Sequence, residues 1–396
     1  FIMRKFAAFV LSVAMVASLV SCGGNNGTNG TTSGTTANET TTEANQSTSS
    51  QETTSAQTSS PDSTDGYELA LVTDVGNIDD GSFNQGTWEG LIEFAEANNK
   101  TYSYYRPSED SDEARMETMK TAIENGAKVL VLPGYLFEPA VYEMQDQYPD
   151  VQFLLIDGEP HSADYSTYST SKNVYCILYK EEQAGYAAGY SIVKDGYTQL
   201  GFLGGMEIPA VQRYGYGFLQ GVDAAAQEMG VDVNVKYWYS QSFVANDEIM
   251  TKMSSWFTEG TEVVFACGGK IWLSANAAAE ANGGKLIGVD VDQAGDSDLM
   301  ITSAMKYLGH SVVTALTDLY ANNGVWPDAV AGTTSTFGAT EDMVGLPTAE
   351  ESWRFNTFTV DEYNKVMEGI KDGSIEVSND TNAAPATTKI TVDFQN

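Results

Sequence analysis

Three carboxylates stand at the ends of apolar runs: Asp74 after 69–73 (LALVT), Asp157 after 151–156 (VQFLLI) and Asp290 within 286–291 (LIGVDV). An aspartate so placed either caps the helix that follows or faces a ligand, because open α/β sheets bind ligands beyond the carboxyl ends of their strands. The loop 74–85 (DVGNIDDGSFNQ) adds glycines for a tight turn, Ser82 or Asn84 to cap the next helix, and Phe83. A large aromatic side chain in a polar loop is either tucked into the core or used. The run 263–266 (VVFA) leads into Cys267-Gly268-Gly269, where bare backbone lets a ligand come close. As acid and base, Asp79 with Asp80 or Asp157 with Asp290 would suit a nucleoside or glycoside hydrolase. As hydrogen-bond acceptors, the same groups would suit a receptor with no chemistry of its own.

Other chemistries fail on spacing. Asp290 and Asp292 begin like a calcium loop, but Ala294 and Ile301 occupy positions that need oxygen ligands. Gly215 and Gly217 miss the dinucleotide fingerprint and follow no strand. No phosphate-binding GxxxxGK[ST] segment exists, so any ATP-driven motor is another chain. Two histidines, His161 and His310, and three cysteines do not make a metal site or a disulfide scaffold, and Cys176 and Cys267 read as buried thiols. No cofactor or metal is implied.

The elements that must hold these groups are read from hydrophobic patterning. The runs at 69–73, 129–132, 151–156, 200–203, 263–266 and 286–291 are continuously apolar, as a parallel sheet covered on both faces requires. Helix-period segments lie between them, such as Trp88, Leu91, Ile92 and Ala95, or Met116, Met119 and Ile123 before Gly126. Strand–helix–strand repetition implies right-handed crossovers and doubly wound α/β layers. Two such runs, 67–180 and 196–300, flank a helix at 181–193, and a cleft between two lobes is a natural ligand site.

The N-terminal part reads as an address. Met3, Arg4 and Lys5 precede an apolar run, 6–20, too short for a dependable membrane span but right for a signal peptide. It ends Leu19-Val20-Ser21-Cys22, which resembles the bacterial lipobox, so 1–22 is expected to be a lipoprotein signal and Cys22 the lipidation site. Residues 23–66 contain no Lys or Arg and 21 Ser or Thr among 44, a composition that reads as a disordered tether. The chain has 396 residues and a formal charge of −34. Beyond the tether, 18 basic residues face 49 acidic ones, so the folded part itself stays at −31. Such a surface repels phosphate backbones, which argues against nucleic acid as a partner.

The segments 71–91 (LVTDVGNIDDGSFNQGTWEGL), 202–221 (FLGGMEIPAVQRYGYGFLQG) and 288–293 (GVDVDQ) resemble the basic membrane protein (BMP) or PnrA-like lipoproteins. That resemblance implies an α/β type I periplasmic-binding-protein fold, with two doubly wound Rossmann-like lobes joined by a three-segment hinge. Lobe one would span 67–180 plus about 306–331, and lobe two 181–305 plus about 332–396. It implies a substrate-binding protein of an ABC transporter, lipid-anchored on the outer face of a bacterial, Gram-positive cell membrane, with permease and ATPase partners and a purine nucleoside as ligand. The purine would be sandwiched between Phe83 and Phe243, with polar contacts from Asp74, Asn84 and Asp157. Asp290 and Lys306 would serve the ribose hydroxyls, and Gly269 would contribute backbone. The chain departs from the family pattern at Lys270 and in lacking Thr-Asp after Ser242-Phe243. A sugar or sugar-like signal is the alternative ligand for the same architecture.

Overall fold

The computed structural model describes residues 66–395; the expected signal peptide, Cys22 and all of the tether but Gly66 lie outside the described residues. In chain order the first part runs β1 (Leu69–Val72), α1 (Phe83–Ala97), β2 (Tyr102–Tyr105), α2 (Asp112–Glu124), β3 (Val129–Pro133), α3 (Glu138–Met144), β4 (Gln152–Ile156) and β5 (Val174–Tyr179). The second runs α4 (Glu181–Lys194), β6 (Gln199–Gly204), α5 (Pro209–Met229), β7 (Val233–Tyr239), α6 (Asp247–Thr258), β8 (Val263–Cys267), α7 (Ile271–Asn282), β9 (Lys285–Asp290) and β10 (Met300–Lys306). There follow α8 (Leu308–Ala321), β11 (Thr333–Phe337), β12 (Val344–Gly345), α9 (Val360–Asp372) and β13 (Ile390–Gln395).

These strands form two sheets, ordered β11-β5-β4-β3-β1-β2 and β12-β10-β9-β8-β6-β7-β13. Only β12 runs antiparallel to its neighbour. Burial of both faces explains the continuous apolar runs. Leu69 and Leu71 of β1 pack into one core with Leu91 and Phe94 of α1, whereas Ala70 and Val72 pack into another with Met119 of α2 and Ala140 of α3. Phe202 of β6 and Phe265 of β8 join the first of these cores, so it runs unbroken from one lobe into the other.

The chain passes between lobes at Lys180, at Tyr307 and after Phe337. The last crossing differs from the expected one near 332. Thr333–Phe337 pairs in parallel with β5, so it extends the lobe-one sheet before β12 returns to β10. The segment is a mixture of threonine, serine and one phenylalanine on a half-exposed sheet edge, with no apolar run to announce it. Further on, Asp223 of α5 accepts the backbone N–H groups of Thr388 at 2.9 Å, Lys389 at 2.7 Å and Ile390 at 3.2 Å, which fastens β13 beside β7.

Helices α4 and α5 approach with their backbones in contact, because glycines face each other at four-residue spacing. A Cβ on Gly185 would lie 2.2 Å from the Tyr214 carbonyl oxygen, and one on Gly217 would lie 2.1 Å from that of Glu182. Neither obstacle is a movable side chain. Gly217→Ala should therefore force the helices apart and cost about 1–3 kcal/mol or more. Thermal unfolding followed by circular dichroism checks this, and a melting temperature equal to that of the unchanged protein would refute the close approach.

Candidate functional site

In each sheet the winding direction reverses between two neighbouring strands, β1 and β3 in lobe one and β6 and β8 in lobe two. Loops leaving such neighbours diverge to opposite faces and open a crevice. Phe83, the first residue of α1, lies over the lobe-one crevice, where a Cβ on Gly134 after β3 would come within 3.7 Å of its ring. Phe243, between β7 and α6, lies over the lobe-two crevice. There a Cβ on Gly205 would stand 2.4 Å from its ring and one on Gly268 2.8 Å, so side chains at either position would displace it. Both rings line a single cavity of about 710 Å³, within the range of small-molecule sites. Asp74, Asn84, Asp157, Gly269, Asp290 and Lys306 line it too, so all eight residues expected to contact ligand come together.

Their partners divide them into two groups. The first organises the loop after β1. Asp74 Oδ1 accepts the Gly76 N–H at 2.7 Å and the Asn84 amide at 2.8 Å, and burial pushes the Asp74 carboxyl up to about 6 against these bonds. Asn84 also donates to Asp80 at 2.9 Å and accepts the Asp74 N–H at 3.2 Å, so its amide hydrogens serve the loop. Neither Ser82 nor Asn84 caps α1 with its side chain. Asp80 does so by accepting the N–H groups of Ser82 at 2.8 Å, Asn84 at 3.0 Å and Gln85 at 3.0 Å. Asp79 is exposed and paired across the cleft with Lys270 at 3.0 Å. The two acids proposed as one acid–base pair thus have separate structural partners.

The second group surrounds a buried ammonium. Lys306, the last residue of β10, bonds Asp157, reaches Glu181 at 3.3 Å and stands 3.8 Å from Asp290. Asp157 and Asp290 both turn back from their strands in the left-handed region, at φ +59° and +67°. Aspartate is among the few residues that tolerate this conformation, and it points both carboxylates inward. Ser82 of lobe one donates to Asp290 of lobe two at 2.6 Å, and the Gln293 amide donates to the Gly81 carbonyl at 2.6 Å, so the lobes also meet here. Asp157 Oδ1 is buried and has no hydrogen-bond partner among the described residues.

Burial pushes the Asp157 carboxyl up to about 7, with the neighbouring Glu181 charge adding to it, although the Lys306 ammonium acts the other way. Burial also raises Asp290. For Lys306 burial disfavours the charge, but Asp157, Glu181 and Asp290 outweigh it and keep the amine protonated well above its ordinary range.

Glu181, which pairs with Lys306, and Arg213 and Tyr214, which line the cavity, are not among the residues expected from the sequence. Glu181 follows an apolar run at 174–179 much as Asp74 and Asp157 follow theirs, so the rule that singled them out would have found it. Arg213 and Tyr214 lie inside the quoted segment 202–221 but carried no strand-end signal. His161 is buried 3.1 Å from Glu138 and stacked on Tyr165 at 4.1 Å. Cys176 and Cys267 are buried and free, and no cluster of metal-ligating side chains occurs among the described residues.

A family model described as the ABC transporter substrate-binding protein PnrA-like family, Bmp, matches residues 67–381. The chain belongs to the Bmp family. Its proteins are substrate-binding components of ABC transporters rather than enzymes, and they act outside the cytoplasm together with transporter subunits. No helix among the described residues is long and apolar enough to cross a membrane. This Bmp protein is 29% identical over 336 residues to the CD4+ T-cell-stimulating antigen of Listeria monocytogenes, covering 78% of this chain and 88% of the relative. It is 27% identical over 302 residues to the ABC transporter nucleoside-binding protein BmpA of Lactococcus lactis, covering 70% and 81%. Its fold matches a solute-binding protein of an ABC transporter system from Aeropyrum pernix K1, with a TM-score of 0.63, 21% identity and coverage of 79% and 94%.

The Bmp site makes one prediction that needs no ligand. Lys306→Ala leaves three buried carboxylates without their shared cation, and stranding a buried charge in this way costs about 3–5 kcal/mol. A carboxyl that ionises less readily in the folded state loses stability as pH rises from its ordinary range through about 7, the value for Asp157. The deficit in melting temperature should accordingly be larger at pH 8 than at pH 5. Equal deficits at both pH values would contradict charge neutralisation by Lys306.

Proposed function

We propose that the protein captures a purine nucleoside between its lobes and delivers it to the permease of an ABC importer. The observation that carries this reading is the pair of rings, Phe83 and Phe243, set over the switch points of opposite sheets and lining one cavity. A flat heterocycle stacked on both faces satisfies two such rings, and each stack contributes about 1–3 kcal/mol. Beside them the free oxygen of Asp157 supplies an acceptor for a ligand hydroxyl, and Asp290 with Lys306 completes a polar end suited to a ribose. Asp74 offers a further carboxylate towards the base. The name of the Lactococcus relative, a nucleoside-binding protein, agrees with this assignment. The backbone of Gly269 would be a further contact, and Asn84 holds Asp74 in place.

Anchoring completes the proposal. Cys22 would carry lipid on the outer face of the cell membrane, and the Ser/Thr-rich tether would let the body reach its permease. Two or more acyl chains are needed for stable anchoring, which a modified N-terminal cysteine provides.

Two measurements test the proposal. Calorimetric titration with inosine, guanosine and adenosine should show binding, and Phe83→Ala should weaken it by about 1–3 kcal/mol. An unchanged affinity in that variant would remove the stacking role. Fractionation of cells expressing Cys22→Ser should find the protein in the medium instead of the membrane fraction. Its retention in the membrane would mean that something other than Cys22 holds it there.

A further inference from the structure

We infer that Glu181 is a positioning residue for the ligand site: braced by Arg213, it fixes the Lys306 ammonium between Asp157 and Asp290. The inference rests on the reading of this cavity as the ligand site, and it concerns a residue that does not line the cavity itself.

A lysine side chain is a flexible four-carbon stem, so a lysine that serves as a fixed contact needs something rigid to hold its head. Of the three carboxylates around Lys306, Glu181 is the one that cannot swing. Its side chain is fully buried, and its second oxygen accepts from Arg213 Nε at 2.6 Å. Arg213 stands on the first turns of α5, and the glycine contacts between α4 and α5 bring that stretch against the start of α4. Asp157 belongs to the other lobe, and its second oxygen has no partner. Asp290 stands 3.8 Å away, beyond hydrogen-bond distance, and its other oxygen is taken by Ser82.

The position of the pair in the chain strengthens the argument. Glu181 comes one residue after the crossing at Lys180, and Lys306 one residue before the crossing at Tyr307. Their ion pair ties two hinge segments together within lobe two. If the lobes part, Asp157 leaves with lobe one, while Glu181 stays with Lys306. The ammonium then remains aimed at the place where Asp157 and the ligand must return. Binding energy that would otherwise be lost in ordering a lysine is retained, which is the advantage of a pre-organised site.

The test reads Lys306 directly. In the ligand-free full chain labelled with 15N-lysine, a buried and held ammonium should give a slowly exchanging proton–nitrogen NMR signal, assigned by its loss in Lys306→Ala. That signal should broaden or disappear in Glu181→Ala, and also in Glu181→Gln, whose single amide oxygen cannot accept from both Lys306 and Arg213. Inosine affinity should fall about tenfold or more in Glu181→Ala, the scale of one charge-assisted hydrogen bond. Should Glu181→Ala fail to fold, Arg213→Ala removes the brace and should broaden the same signal. An unaltered Lys306 signal in whichever of these variants folds overturns the positioning role. A protein that binds no nucleoside but shows the expected signal pattern keeps the positioning role and loses the nucleoside assignment.

Discussion

One ammonium shared by three carboxylates sets the terms for the rest of this molecule. Lys306, Asp157, Glu181 and Asp290 come from four separate elements, and all four side chains are buried at the junction of the lobes. Burying charge is costly unless each group is paired and hydrogen-bonded, so the arrangement tolerates little displacement of the strand ends that supply it. Two of those ends hold aspartates in the left-handed backbone region, a conformation that persists only where surroundings enforce it. The cluster also carries more negative than positive charge, even with Arg213 counted. Burial, with a smaller push from the neighbouring Glu181 charge, moves Asp157 towards neutrality in the presence of a lysine. A ligand hydroxyl at its unpartnered oxygen would stabilise the ionised form.

The helices contribute through close packing. Glycines on α4 and α5 remove the side chains that would hold the backbones apart, and the resulting contact places Arg213 on Glu181. A similar contact occurs in lobe one, where Gly90 of α1 lies against Gly309 of α8. These helices enter or leave the hinge or begin at the site, so this close packing supports the residues around the cavity. The acidic loop after β1 is organised differently, by side chains that accept backbone N–H groups. Asp80 and Asp74 use their carboxylates in this way, and Phe83 joins Asp74 and Asn84 in lining the cavity.

Much of this was legible in advance, for identifiable reasons. Six strands announce themselves because a parallel strand covered on both faces has to be apolar throughout. The strands β2 and β7 were less visible: Tyr102–Tyr105 is aromatic and polar, and Val233–Tyr239 alternates between buried and outward positions. Thr333–Phe337 was placed with the wrong lobe because a half-exposed edge strand follows no hydrophobic rule. The aspartates are legible because open α/β sheets bind ligands beyond the carboxyl ends of their strands. Glu181 follows an apolar run in the same way but also reads as the start of the helix at 181–193.

The sequence by itself determined the α/β layering, the strand ends that bear acids, and, through its motifs, the family. Those are local properties, set by periodicity, by the backbone needs of glycine and aspartate, and by the order of residue types along the chain. Tertiary structure alone decided which carboxylates share Lys306, that Asn84 serves its own loop, and that Phe83 and Phe243 face one cavity. It also decided that Asp80 caps α1 while Ser82 reaches across to Asp290. Each of these depends on contacts between separate elements, or on competition among neighbouring polar groups for the same few donors. Spacing along a chain does not encode either, because both are settled by how two sheets and two buried helices come to rest against each other.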